Sequence, residues 1–85
     1  MQLKIIGLSG ARVQQALLNA HAAAAGFERR PKVHWINDIH EIVEMGRLAI
    51  PTVMVNNKRK TSGRVPSVYE ITTWIEEELE EHLVA

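Results

Sequence analysis

The chain has 85 residues, 46% hydrophobic and 24% charged, and its ten Lys and Arg are balanced by ten Asp and Glu. That length holds one domain near the lower size limit for a single core, and the composition excludes an intrinsically disordered chain. The absence of cysteine excludes disulfides, cysteine metal sites and thiol catalysis, and no apolar run approaches the roughly 20 residues of a membrane span.

Leu3 to Ile6 is a β-rich apolar run closed by Gly7, which predicts a first strand over residues 2–7. Good helix formers begin at Ala11, with Val13, Leu17, Ala20 and Ala24 on one stripe and Gly26 as a stop, so a first helix is expected over 11–25. The four alanines at 22–25 point to close packing against a neighbouring element. After the turn-like Arg29-Arg30-Pro31, Lys32 to Ile36 has the β-branched and aromatic content of a second strand. Asp38-Ile39-His40-Glu41 reads as a capping box opening a second helix that buries Ile39, Ile42, Val43 and Leu48, with Gly46 near its end. Thr52 to Val55 is the third strand, Asn56-Asn57 is a tight turn, and Lys58 to Ser62 is a charged edge strand. Ser67-Val68-Tyr69-Glu70 is a second capping box. It starts a last helix whose stripe of Val68, Ile71, Ile75, Leu79 and Leu83 faces the sheet.

The order β-α-β-α-β-β-α implies an α/β fold in one domain over 1–85. A parallel crossover followed by a hairpin gives a four-stranded mixed sheet flanked by helices. The zero net charge conceals an asymmetry: residues 1–64 carry all ten Lys and Arg against four acids, whereas 65–85 carry six Glu and no Lys or Arg. Glu76, Glu77, Glu78, Glu80 and Glu81 read as the solvated face of the last helix, with head-to-tail association or an acidic docking surface as the sharper reading. Lys58-Arg59-Lys60 with Arg64 reads as charge protecting an edge strand rather than as a nucleic-acid site. His21, His34, His40 and His82 have no metal-binding spacing, and Ser9 has no nucleophile-elbow motif. The amino terminus lacks the features of a signal peptide, so a cytoplasmic location is the expectation.

Three motifs stand in order: Gly7-Leu8-Ser9-Gly10-Ala11-Arg12-Val13 after strand one, Ala49-Ile50-Pro51-Thr52 before strand three, and Ser62-Gly63-Arg64-Val65-Pro66-Ser67 before the last helix. Together they resemble the short, glutaredoxin-like thioredoxins of the redox-active disulfide protein family. The resemblance implies the thioredoxin fold and a Cys-x-x-Cys motif at positions held here by Gly10, Ala11, Arg12 and Val13. Glycine has no side chain and valine no reactive atom, so neither the attacking nor the resolving thiol exists. The resemblance also implies a cis peptide before Pro51 and an Ile50 backbone that pairs with extended segments.

These implications lead to a non-catalytic protein-interaction module using Gly10, Ala11, Ile50 and Pro51, with no catalytic residue, cofactor or metal assigned. The expected partner is a protein, with neither membrane nor nucleic acid expected. A second reading places a small anion or metabolite at Ser9, Gly10, Ala11 and Arg12, where the helix start offers free N–H groups; the plainer reading makes Ser9 an ordinary cap. A third is an oligomeric assembly subunit joined through the charge asymmetry.

Overall fold

The computed structural model describes residues 1–46 and 49–84, with the backbone alone for 82–84. The elements are β1 (Gln2–Ile6), α1 (Ala11–Ala25), β2 (Lys32–Ile36), α2 (Ile39–Glu44), β3 (Thr52–Val55), β4 (Lys58–Ser62) and α3 (Val68–Val84). The order and the spans follow the sequence pattern closely because each element has a distinct period and a distinct stop.

The strands form one sheet in the order β2-β1-β3-β4. β1 runs parallel to β2 and antiparallel to β3, while β3 and β4 form the hairpin. Asn56 and Asn57 close that hairpin at φ 52° and 68°, as a two-residue turn between right-twisted strands requires. Alternation along β1 and β3 sends Leu3, Ile5, Val53 and Val55 to one face, where they pack with Ala16, Ala20, Ala23, Ala24, Ile71 and Ile75 in a fully buried cluster. Alanines on α1 let that helix approach the sheet and α3 closely. Ala23 and Ala24 are buried while Ala22 and Ala25 are exposed, so the alanine run contributes one side only.

Three expectations about burial need correction. In α2 only Ile42 is buried, while Ile39 and Val43 are 50% and 68% exposed. At six residues, a helix of that length covers too little of the sheet to bury three apolar side chains. Leu48, assigned to the same face, and the side chain of Leu83 lie outside the described residues. On α3, Ile71 and Ile75 are buried, but Val68 and Leu79 are exposed. Glu78, read as solvated, is only 3% exposed. Its carboxylate receives Lys60 at 3.0 Å and Lys58 at 3.4 Å, and these lysines are also held by Glu77 and Glu81. The basic edge strand is therefore fastened to α3 through a charged cluster, and the two ammonium groups, Lys60 first, hold the Glu78 carboxyl below its usual range.

The two capping boxes differ. At α3, Ser67 and Glu70 exchange reciprocal bonds of 3.1 Å between side chain and backbone. At α2, the Asp38 carboxylate accepts from the His40 N–H at 2.8 Å, but Glu41 makes no return bond to Asp38. Glu70 is gripped further by the two terminal guanidinium nitrogens of Arg64, at 2.9 and 2.5 Å. That hydrogen-bonded pair, followed by the Ser67 N–H, lowers the Glu70 pKa from 4.5 to about 2.

A carboxyl whose pKa is depressed by folding stabilises the native state fully above the unfolded value and loses that contribution as pH falls toward the folded one. Glu70→Gln is therefore expected to flatten the acid limb of stability between the 4.5 and about 2 that bound the shift, read from denaturant midpoints at stepped pH. Ile75→Ala is expected to cost about 2–5 kcal/mol by opening the core, whereas Val43→Ala is expected to stay within about 0.5 kcal/mol. Denaturant midpoints of the two variants check that order.

Candidate functional site

β1 delivers the chain to Gly7, whose N–H donates to the Ile36 carbonyl at 3.0 Å and whose carbonyl accepts the Trp35 indole N–H at 2.8 Å. Gly7 is buried because three segments converge on it. A β-carbon there would stand 2.6 Å from Val13 Cγ2 and 2.8 Å from Ile50 Cγ2. Both methyls sit on β-branched side chains that have little χ1 freedom, so neither can swing away cheaply. Only glycine lets the first turn of α1 and the loop before β3 close on the end of β1.

Gly10 is the N-cap of α1, at φ 111° and ψ 166°. That region of backbone space is essentially restricted to glycine. A β-carbon at Gly10 would meet nothing within 4 Å, so the constraint is conformational rather than steric. The Gly10 carbonyl accepts the Gln14 N–H at 3.0 Å, and no side chain caps the helix. Ser9 is therefore not the cap that its position suggested, because the chain turns one residue later. Ala11 is exposed on the first turn, and Val13 is buried at 2% exposure.

Arg12 reaches away from the helix start and donates to the Gly63 carbonyl at 2.5 Å. It joins the first turn of α1 to the loop before α3. The sequence groups Arg12 with Ser9 as an alternative anion site; one guanidinium nitrogen of Arg12 donates to the Gly63 carbonyl, and the Ser9 hydroxyl has no hydrogen bond with any described residue.

The loop before β3 is held by two hydroxyls that the sequence reading passed over. Ser62 and Thr52 are cross-strand partners, with their oxygens 2.8 Å apart. The Ala49 N–H donates to Ser62 Oγ at 3.2 Å, and Thr52 Oγ1 donates to the Ala49 carbonyl at 2.5 Å. The Ser62 hydroxyl has two acceptors within reach, the Ala49 carbonyl at 3.0 Å and Thr52 Oγ1 at 2.8 Å. Paired Thr and Ser at the facing ends of two adjacent strands were the available signal. Pro51 is buried after a cis Ile50–Pro51 bond, and its carbonyl accepts the Gly63 N–H at 2.9 Å.

Ile50 lies between these satisfied neighbours and differs from them. Its side chain is 38% exposed, and neither its N–H nor its C=O bonds to any described residue. Leu8 and Trp35, both extending from the Gly7 junction, are also partly exposed. The structure thus brings Val13 and Ile50 together at Gly7, ties Arg12 to Gly63, and leaves Gly10 and Ala11 open to solvent. Among the described residues no group of three or more His, Asp or Glu is placed to hold a metal ion, and no helix is long and apolar enough to cross a membrane.

A family model described as a thioredoxin domain matches residues 1–76. No curated protein and no solved structure matches the chain.

Gly10→Ala is expected to destabilise the protein by about 1–3 kcal/mol although its methyl would project into open space. Gly26→Ala provides the contrast, since Gly26 has an ordinary φ of −78° and the new carbon would lie 3.4 Å from the Ala23 carbonyl. That variant is expected to be unchanged or more stable by up to about 1 kcal/mol. Thermal and denaturant unfolding of both variants checks the pair.

Proposed function

The chain belongs to the thioredoxin-domain family, and from that premise we propose that it is a non-catalytic member that binds an extended protein segment at the corner formed by Gly10, Ala11, Ile50 and Pro51. The chain carries no cysteine, so it has no thiolate to attack a disulfide and no second thiol to resolve one. What the fold retains is a shaped corner without the chemistry.

The observation that carries this reading is the state of the Ile50 backbone. Ala49 on one side has both its N–H and C=O bonded, and Pro51 on the other has its carbonyl bonded. Between them, Ile50 presents a donor and an acceptor with no described partner, beside a half-exposed apolar side chain. Backbone groups in that condition are satisfied by water or by an added strand. The open space at Gly10 admits such a strand, and Leu8 and Trp35 give its side chains apolar ground to cover. With no covalent step available, binding is reversible. Affinity is modest, because a short strand has few anchors and loses entropy on ordering.

Selection from a displayed library of extended peptides tests the reading. The selected peptides are expected to protect the Ile50 amide from hydrogen exchange and to shift the amides of Gly10 and Ala11. Leu8→Asp, an exposed change beside the site, is expected to weaken them about tenfold, or about 1.4 kcal/mol, without altering the thermal midpoint. Peptides that bind while leaving the Ile50 amide unprotected would overturn the assignment, as would a library that yields no binder.

A further inference from the structure

Two shallow grooves lie on either side of Leu79, which is 41% exposed on α3. One is walled by Phe27, Thr73, Glu76, Glu77 and Glu80, and the other by Met1, Arg29, Arg30, Pro31 and Asn56, with Leu79 common to both. One side of this apolar ridge is thus rimmed by carboxylates and the other by guanidinium groups.

Of the charges on these rims, Glu77 is paired inside the molecule and the others are not. Lys58 and Lys60 engage Glu77, Glu78 and Glu81. Glu76 and Glu80, one helical turn apart on α3, form no ion pair with any described residue, and the same holds for Arg29 and Arg30. A surface whose two halves carry opposite free charge about an exposed apolar centre is complementary to itself.

We propose that a second copy of this chain docks on this surface, in a symmetric dimer whose two-fold axis runs along the boundary marked by Leu79. Rotation about that axis sets the Arg29–Arg30 rim of each protomer against the Glu76–Glu80 rim of the other, and Leu79 against Leu79. Such an isologous contact closes on itself and needs only one patch per protomer. Leu79 supplies the desolvated centre, while the rim pairs set orientation and register. This contact lies apart from the Ile50 corner and does not depend on peptide binding there.

Sedimentation of the full chain over a concentration series tests the proposal. The wild type is expected to move from monomer to dimer as concentration rises, and the transition to shift to higher concentration between about 0.05 and 0.5 M salt, where screening shortens the reach of rim charges. Arg29→Glu with Arg30→Glu makes both rims acidic, and Glu76→Lys with Glu80→Lys makes both basic. Each double variant alone is expected to lose self-association by about tenfold or more, the equivalent of about 1.4 kcal/mol. An equimolar mixture of the two is expected to regain it as a heterodimer. Thermal midpoints confirm that both variants are folded; should one fail to fold, the salt dependence of the wild type decides. A wild type that stays monomeric at about 1 mM, where even a contact of about −4 kcal/mol would be half populated, overturns the proposal. So does a dimer indifferent to salt, or a mixture of folded double variants that fails to associate.

Discussion

Three chain segments meet at Gly7, and the rest of the candidate site depends on how closely they meet. The end of β1, the first turn of α1 and the loop before β3 approach until Val13 and Ile50 methyls occupy the space where a β-carbon would be. This close packing sets the relative position of the three segments. Valine at position 13 fills the interior as a small hydrophobe. The loop outside it is free to adopt the glycine-only conformation at Gly10. Around this junction, Arg12 donates to the Gly63 carbonyl and the Thr52–Ser62 pair holds Ala49, while the Ile50 backbone bonds to no described residue.

The same economy governs the charges. A neutral chain with a basic first part and an acidic end would carry a large dipole if its charges were left in solvent. Instead, part of the acidic helix is folded onto the basic edge strand, and Glu78 is buried between Lys58 and Lys60. A buried carboxylate tolerates that position only when paired, so the pairing fixes where α3 lies along β4 as well as neutralising it. Arg29, Arg30, Glu76 and Glu80 form no ion pair with any described residue and border the grooves beside Leu79.

Element order was legible because each element rests on a local rule. Period-two apolar runs marked β1 and β3, Asn56-Asn57 marked the hairpin, and Ser67 with Glu70 marked the start of α3. The features that escaped depend on distance across the fold. Helical spacing puts Glu78 on the same face as the buried Ile71 and Ile75, but only the position of β4 brings two lysines to a glutamate there. Ile39 and Val43 satisfy an amphipathic pattern, yet a helix of six residues reaches too little of the sheet to bury them. Ser9 has the right side chain for a cap one residue too early. The role of Gly7 was not readable, since the two methyls that need it come from residues six and forty-three positions away.

A double-mutant cycle between Gly7 and Val13 bears most directly on this account. Gly7→Ala overpacks the junction and Val13→Ala empties it, so each alone destabilises the fold. If the two residues share one space, the double variant is expected to be more stable than the sum of the separate losses allows, by about 0.5–3 kcal/mol. Strict additivity would contradict the account, because it would mean that the end of β1 and the first turn of α1 do not press on each other and that the corner owes its shape to something else.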